Sequence, residues 1–415
     1  MKSEIRNLEL WPDGALKIEW VRHHMPLLNG LEAEFRTERP FAGLKVALSV
    51  HLEAKTAYLC EVLAAGGAEM YVTGSNPLST QDDVAAALVH EGLNVFAWHG
   101  ATSEEYEAHI RRVLAIGPNI IIDDGGDLVS LMHSEYRDLL PGVIGGCEET
   151  TTGILRLQAL DKARQLEFPM MLVNNADCKH LFDNRYGTGQ SVITSLMANT
   201  NLILASKTVV VAGYGWCGRG IAMRANAMGA NVIVTEIDPV KAMEARMDGY
   251  RVMPMAKAAE HGDLFVSATG CCKTITMEHM LKMKDQAILA NAGHFNVEID
   301  MAALEKEAES KAEARNNITA YRLANGKTVN VIGEGRLCNI AAGDGHPAEI
   351  MDLSFAVQAL SALYIKDNYK DLGKAVVDVS DQIDDKIARM KLDAWGTEID
   401  TLTEEQEAYL NSWKL

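Results

Sequence analysis

Two carboxylates and three hydroxyls run together at Glu148-Glu149-Thr150-Thr151-Thr152-Gly153, and Lys179 and the segment Phe182-Asp183-Asn184 follow. Taken one by one, these residues have ordinary readings. Three threonines suit a strand, where β-branched side chains fit well, and Glu-Glu suits a solvated turn. Together with Asp124 they place a lysine and several carboxylates just ahead of a glycine-rich turn. That set suits the oxidation of a secondary alcohol, whose hydroxyl proton must leave as hydride departs, so a base is needed within hydrogen-bond reach. Burial would lower the pKa of a lysine and make it a base, whereas neighbouring carboxylates would raise it. The sequence leaves both open. Carboxylates also suit a vicinal diol, because they accept from both hydroxyls.

Hydride needs an acceptor, and the glycine-rich turn supplies a place for one. Gly213-Tyr214-Gly215-Trp216-Cys217-Gly218 follows the apolar run Thr208 to Ala212 and opens a helical pattern. A second apolar run, Asn231 to Thr235, ends on Glu236. This is the layout of a dinucleotide-binding βαβ unit: the first glycine permits the tight turn, the second lets backbone approach a pyrophosphate, and the third lets helix and strand pack closely. A terminal carboxylate accepts from both ribose hydroxyls and repels a 2′-phosphate, so the unit reads as NAD rather than NADP. A glycine-rich turn without a ligand is the plainer alternative. Three histidines, His51, His294 and His346, follow small residues or strand ends and are candidates for acid–base work. A zinc site would need a spacing such as HxH, HxxxH or CxxC, and none is present, so no metal is expected.

The elements that must carry these groups alternate. Leu44–Ser49, Glu69–Val72, Asn94–Ala97 and Asn119–Ile122 read as strands, with helices at Ala54–Ala65, Asp82–His90 and Ser103–Leu114 between them. Such alternation predicts an α/β fold with a parallel sheet, whose ligand lies at the carboxyl ends of the strands. The dinucleotide unit begins near Ser191, continues through strand candidates Leu264–Ala268 and Ala287–Ala290, and ends near Asp344. Helical patterns at Ala348–Ile365 and Asp381–Lys391 follow, so a bilobal enzyme with its reaction centre in the cleft is expected. At 415 residues the chain is long enough for at least two domains. A formal charge of −18 argues against binding a nucleic-acid backbone. No stretch reads as long enough to cross a membrane and no secretory leader is evident. The seven cysteines show no framework spacing and read as reduced thiols of a cytoplasmic protein.

With these residues in view, the chain resembles the S-adenosylhomocysteine hydrolase family along nearly its full length, and looks like its shorter thermophile and archaeal branch. The matching blocks are His51 to Ala57, Ser79-Thr80-Gln81-Asp82, Asp123 to Asp127, Glu148 to Gly153, Phe182 to Asn184 with Tyr186-Gly187, and Gly213 to Gly220. They continue through Thr235 to Pro239, Gly293-His294-Phe295, Glu334 to Leu337 with Asn339, and Gly345-His346-Pro347. The resemblance implies one tightly bound NAD per subunit, used catalytically. The nucleoside 3′-hydroxyl is oxidised to a ketone, which acidifies the 4′ hydrogen; homocysteine thiolate is eliminated, water adds, and the stored hydride returns. The net reaction is hydrolysis of a thioether, a bond that resists direct attack, and the cofactor carries the difficult step.

Carried over by position, the resemblance implies that Lys179, Glu149 and Asp183 hold the ribose diol and assist 3′ oxidation. Asp124 and His51 become the acid–base groups near C4′ and C5′, with His294 nearby. Substrate contacts fall to Glu53, Lys55, Thr56, Ser79, Gln81, Asp82, Asp344, His346 and Met351. Cofactor contacts fall to Thr150, Thr151, Thr152, Asn184, Gly213, Gly215, Trp216, Cys217, Gly218, Arg219, Gly220, Glu236, Ala292, Gly293, His294, Asn339 and His346. The implied fold has two Rossmann-like parallel-sheet domains: a discontinuous substrate domain (1–187 and 346–390), an inserted NAD-binding domain (188–345), and a small C-terminal segment (391–415). A homotetramer acting in one-carbon metabolism is the implied setting. Many members end in a lysine- and tyrosine-bearing tail that reaches a neighbouring subunit's NAD; the closing Asn411-Ser412-Trp413-Lys414-Leu415 lacks that pattern.

Glu53, Lys55 and Asp344 depart from the animal-type base pocket. Lys55 is donor-only and cannot accept from an adenine amino group, whereas hypoxanthine offers an oxo acceptor at position 6 and an N–H at N1. S-inosylhomocysteine is therefore an alternative substrate, unless Lys55 points to solvent or pairs with an acid. A plain NAD-dependent dehydrogenase and a catalytically inactive nucleotide-binding regulatory homologue are the remaining alternatives.

Overall fold

In a computed structural model that describes residues 3–413, the chain forms two sheets of different make-up. The first contains β1 (Lys45–Ser49), β2 (Glu69–Thr73), β3 (Asn94–Val95), β4 (Ile120–Asp123), β5 (Gly145–Glu148), β6 (Met170–Leu172) and the late strand β15 (Val376–Asp378). Its order is β15-β6-β5-β4-β1-β2-β3, and every pair in it is parallel. Helices cover both faces: Val46, Leu48, Ile120 and Ile122 face one core, while Ala47 and Ile121 face another. Two-sided burial explains why these strands read as near-continuous apolar runs rather than alternating ones.

The second sheet is built from the intervening chain. Its strands are β7 (Thr208–Ala212), β8 (Asn231–Thr235), β9 (Arg251–Val252), β10 (Leu264–Ser267), β11 (Ala287–Asn291), β12 (Ser310–Arg315), β13 (Ile318–Arg322) and β14 (Thr328–Ile332). The order is β12-β13-β14-β11-β10-β7-β8-β9. The sheet is parallel from β14 to β9, but β13 runs antiparallel to both β12 and β14. That antiparallel edge is an addition the sequence reading does not contain.

In each sheet the strand order turns back at one place. β1 lies between β4 and β2, and β7 lies between β10 and β8. Ligands of open parallel sheets lie outside the carboxyl ends of the strands at such a switch point. His51 and Asp124 follow β1 and β4, and Gly213 follows β7.

The late helix Ala348–Leu372 returns to the first core through Leu353, Phe355, Val357 and Leu360. It is long and apolar enough to cross a membrane by composition, which corrects the sequence expectation, and most of it is buried in the protein. Asp352 on it accepts from the backbone N–H of Leu27 and Leu28 (3.2 and 3.0 Å) and from Lys391 Nζ (2.9 Å). Three helices far apart in sequence are thus tied at one buried carboxylate. Removing the lysine would leave that charge alone, at a cost of about 3–5 kcal/mol. The helices Thr188–Thr200 and Trp216–Ala227 touch backbone to backbone, since a Cβ at Gly189 would lie 2.5 Å from the Gly220 carbonyl oxygen. Beyond Trp395 the described residues are exposed, and Lys414 and Leu415 lie outside the described range.

Candidate active site

Between the two sheets lies a cavity of about 1170 Å³. All six residues expected to be catalytic line it: His51, Asp124, Glu149, Lys179, Asp183 and His294. Lys179 ends a short helical turn, and the next eight residues, His180–Gly187, form a wide π-helical turn. The wide turn brings both Asp183 and Asn184 back to the lysine. Lys179 Nζ donates to Asn184 Oδ1 (2.9 Å) and Asn174 Oδ1 (3.1 Å), and ion-pairs with Asp183 (3.2 Å) and Glu149 (3.4 Å). Burial works to lower the Lys179 pKa, but Asp183 and Glu149 outweigh it and hold the ammonium above its usual value. The question left open by the sequence is answered in favour of the charges. Burial pushes Glu149 up to about 8 against the attraction of Lys179. For Asp183 the order reverses: burial is overcome by Lys179 and His346, and its carboxyl is held low.

Each carboxylate has a further partner from the late helix. Ser354 Oγ donates to Asp183 Oδ2 (2.8 Å), and Gln358 Nε2, one turn on, donates to Glu149 Oε2. His346 Nδ1 meets Asp183 Oδ1, and its Nε2 meets Thr188 Oγ1 at 3.3 Å. Glu149 Oε1 and Gln358 Oε1 are buried without a hydrogen-bond partner. Sequence reasoning missed Ser354 and Gln358, whose only signal is polar residues at helical spacing inside an apolar helix.

A second cluster sits at the β1 and β4 ends. Ser75 Oγ donates to Asp124 Oδ2 (2.9 Å) and contacts His51 Nδ1 (3.2 Å), while His51 Nε2 lies 3.5 Å from Asp124. His294 reaches across from the other sheet, 3.6 Å from Asp124, and presses on Gly125, where a Cβ would lie 2.6 Å from its Nε2. Gly125 has φ of 111°, so only glycine suits both demands. Burial lowers the His51 pKa to about 4 against the opposing charge of Asp124, so the ring is neutral near pH 7 and able to accept a proton. One nitrogen of His51, one of His294 and one carboxylate oxygen of Asp124 lie within 4.8 Å of one another, the grouping that the resemblance implies. The turn carrying His294 is clamped by buried Asn291. Its Oδ1 accepts from Gly293 N (2.7 Å), and its Nδ2 donates to the carbonyls of Gly293, Phe295 and Gly335.

The glycine turn fits a dinucleotide. Gly213 has φ of 93°, and Gly215 has open space where a Cβ would stand. A Cβ at Gly218 would lie 2.0 Å from the Gly213 carbonyl oxygen, and one at Gly220 would lie 1.9 Å from that of Arg185. Glu236 Oε2 accepts from Tyr214 N (2.7 Å) and Oε1 from Ile237 N and Asp238 N, which fixes the carboxylate at the cavity wall. Thr150, Thr151, Thr152, Asn184, Trp216, Cys217, Ala292, Gly293 and His346 also line the cavity. The three threonines are not a strand: Thr150 caps the helix Thr151–Lys162, its hydroxyl accepting from Gly153 N (2.9 Å).

Other expected contacts are placed elsewhere. Gly218 and Gly220 act in packing, and Arg219 turns to Glu244 (2.7 Å) and the rings of Tyr214 and Trp216. Asn339 donates to Ser191 Oγ and does not line the cavity, whereas Leu337 and Ile340 do. Among the substrate contacts, Glu53, Thr56 and Met351 line the cavity. Ser79, Gln81 and Asp82 do not: Ser79 Oγ donates to the Asn76 carbonyl, Gln81 accepts from Lys17, and Asp82 accepts from His99 N. Lys55 is buried rather than at the surface, pairing with Glu53 (2.6 Å) and donating to the carbonyl of Asp344 (2.7 Å). Missed lining residues include Asn174, Thr188, Thr269 and Phe355.

Replacing Glu236 with Ala removes the acceptor that fixes the turn and the cavity-wall carboxylate. Hydrogen bonds to a charged group contribute about 1.5–3 kcal/mol, so NAD should bind about tenfold to a hundredfold more weakly, with less rejection of NADP. Equilibrium binding of both cofactors checks this. An unchanged NAD to NADP ratio removes Glu236 from the ribose.

The chain has clear relatives among known proteins. Residues 2–139 match the family model described as S-adenosyl-L-homocysteine hydrolase, and residues 184–345 match that of its NAD binding domain. A relative from Methanocaldococcus jannaschii, named S-inosyl-L-homocysteine hydrolase, is 55% identical over 411 residues, covering 99% of both chains. An adenosylhomocysteinase from Pyrococcus abyssi is 52% identical, covering 99% of this chain and 97% of its own. Another from Thermotoga maritima is 53% identical, covering 97% of this chain and 99% of its own.

Proposed function

This chain belongs to the S-adenosyl-L-homocysteine hydrolase family, an NAD-using hydrolase family, and we propose that its own substrate is S-adenosyl-L-homocysteine, released as adenosine and L-homocysteine. The observation that carries the reading is one cavity holding both the Lys179 set and the glycine turn ending on Glu236. Bound NAD supplies the acceptor and later donor of hydride.

The protein's groups divide the remaining work. Lys179 stays protonated and acts as a donor to the diol, and Glu149, whose pKa is raised to about 8, takes the 3′-hydroxyl proton in its ionised form, which becomes the main form only as pH passes about 8. Asp183 remains a carboxylate and accepts from the diol. Neutral His51, with Asp124 and the Ser75 hydroxyl between them, handles protons at C4′ and at the departing sulfur. Glu53, Thr56, Met351 and Phe355 line the wall assigned to the purine. Glu53 engages Lys55 through Oε2, so its Oε1 is the acceptor we assign to the adenine amino group.

A second reading rests on Lys55, which keeps a third proton beyond its contacts to Glu53 and the Asp344 carbonyl and could donate it to an oxo group at position 6. That reading is hydrolysis of S-inosyl-L-homocysteine. The test is kcat/KM for each substrate, with products identified by mass spectrometry. We expect the adenosyl compound to be favoured by about tenfold or more, the value of one matched charged hydrogen bond. The opposite ratio replaces the first reading with the second.

We also place the protein as a cytoplasmic homotetramer of one-carbon metabolism, with one NAD held tightly per subunit and neither nucleic acid nor membrane as partner. Support comes from the free thiols and from the exposed apolar stripe Val240, Met243 and Met247.

A further inference from the structure

Asp123 and Glu148 close the neighbouring strands β4 and β5 and stand opposite each other in register. Both are fully buried. Asp123 accepts from Asp124 N (3.1 Å) and from Val129 N (2.9 Å). Glu148 Oε1 accepts three donors: Gly125 N (2.8 Å), Thr150 N (2.9 Å) and Thr150 Oγ1 (3.1 Å). Glu148 Oε2 has none. Gly153 is packed hard against this carboxyl, because a Cβ there would lie 2.0 Å from its Cδ.

No ion pair reaches either group among the described residues. Arg156, the nearest cation on the flanking helix, engages the Gly125 carbonyl and Asp127. Asp127 also takes the Tyr106 hydroxyl, Asp124 is shared by Ser75, His51 and His294, and Glu149 is paired with Lys179. Two unpaired charges side by side in a dry site are strongly disfavoured, and one shared proton removes one of them. The oxygen without a donor is where that proton fits.

We propose that Glu148 is a positioning residue that works as a neutral carboxylic acid, sharing a single negative charge with Asp123 while its other oxygen holds the Gly125 turn and the Thr150 cap. These two anchors set the direction of Asp124 and Glu149, so the inference rests on the acid–base roles given to that pair. Burial, joined by each group's charged neighbours, pushes Asp123 up to about 8 and Glu148 well above its usual range. The folded chain therefore binds a proton that the unfolded chain releases near pH 4. Stability contributed by the pair is greatest below that pH and declines as pH rises toward about 8.

Glu148→Gln tests the idea, because its amide oxygen still accepts the three donors and its charge is always zero. In the NAD-loaded protein it should keep kcat/KM within about threefold near pH 7, and its unfolding temperature should fall less steeply than wild type's up to about pH 8. The infrared difference between the two proteins should show a protonated-carboxyl band, shifted in heavy water, that only wild type has. Glu148→Ala, which frees Gly125 N and Thr150 N, should lose most activity. Absence of the band overturns the proton placement whatever the substrate. A loss of more than about thirtyfold in Glu148→Gln with NAD still bound overturns the positioning role.

Discussion

Lys179→Ala should abolish the first oxidation. Rapid mixing with substrate should give no absorbance of reduced nicotinamide, and kcat/KM should fall by about 10³- to 10⁴-fold. The lysine donates to two amide oxygens and ion-pairs with two carboxylates, and its charge lets Glu149 and Asp183 sit together in a buried wall. Without it Glu149 keeps its proton to higher pH and cannot receive another from the diol. A stability loss of about 3–5 kcal/mol should accompany the change, because two carboxylates lose their cation. Lys179→Gln, which keeps a donor but not the charge, separates the effects: it should fold better and oxidise as poorly. Normal early absorbance from either variant would remove Lys179 from this step.

Asp124→Asn should fail later in the cycle. Its contacts are to Ser75, His51 and His294, not to the Lys179 set, so early absorbance should rise normally and then persist. Turnover should fall by about 10²- to 10⁴-fold, the range for loss of a positioned acid or base. The charge of Asp124 works to raise the His51 pKa, so the variant's ring should bind a proton less readily still. Loss of the early absorbance as well as turnover would show that the two clusters act as one.

These two variants probe what was easiest to read in the chain. The six candidate catalytic side chains lie at strand ends or on the Lys179 turn, where motif and topology coincide. The helix limits Ala54–Ala65, Asp82–His90 and Ser103–Leu114 were also legible, because apolar periodicity and turn residues agree there. What stayed hidden depends on tertiary contact. Ser354 and Gln358 look like scattered polar residues until the helix returns beneath Asp183 and Glu149. Asn291 looks like a strand-end amide until it grips the turn of His294. Ser79, Gln81 and Asp82 belong to a family block, yet their side chains brace their own loop and its neighbours. The long helix reads as apolar on every side because it is buried on most of them, and burial leaves the same trace in composition as a lipid environment.

That helix also dictates an order of events during synthesis. A ribosome delivers the chain from its amino end, and domains usually fold as they emerge, first made first folded. Here the first sheet lacks its edge strand β15 and the helix Ala348–Leu372 until the last quarter of the chain has been made. The intervening sheet, running from Thr208 to Ile332, is complete before that helix begins. The nascent amino-terminal half must therefore wait with an open apolar face while its neighbour matures. A pause in translation, or a truncated product ending before the return, would expose that face to chaperones and to other chains.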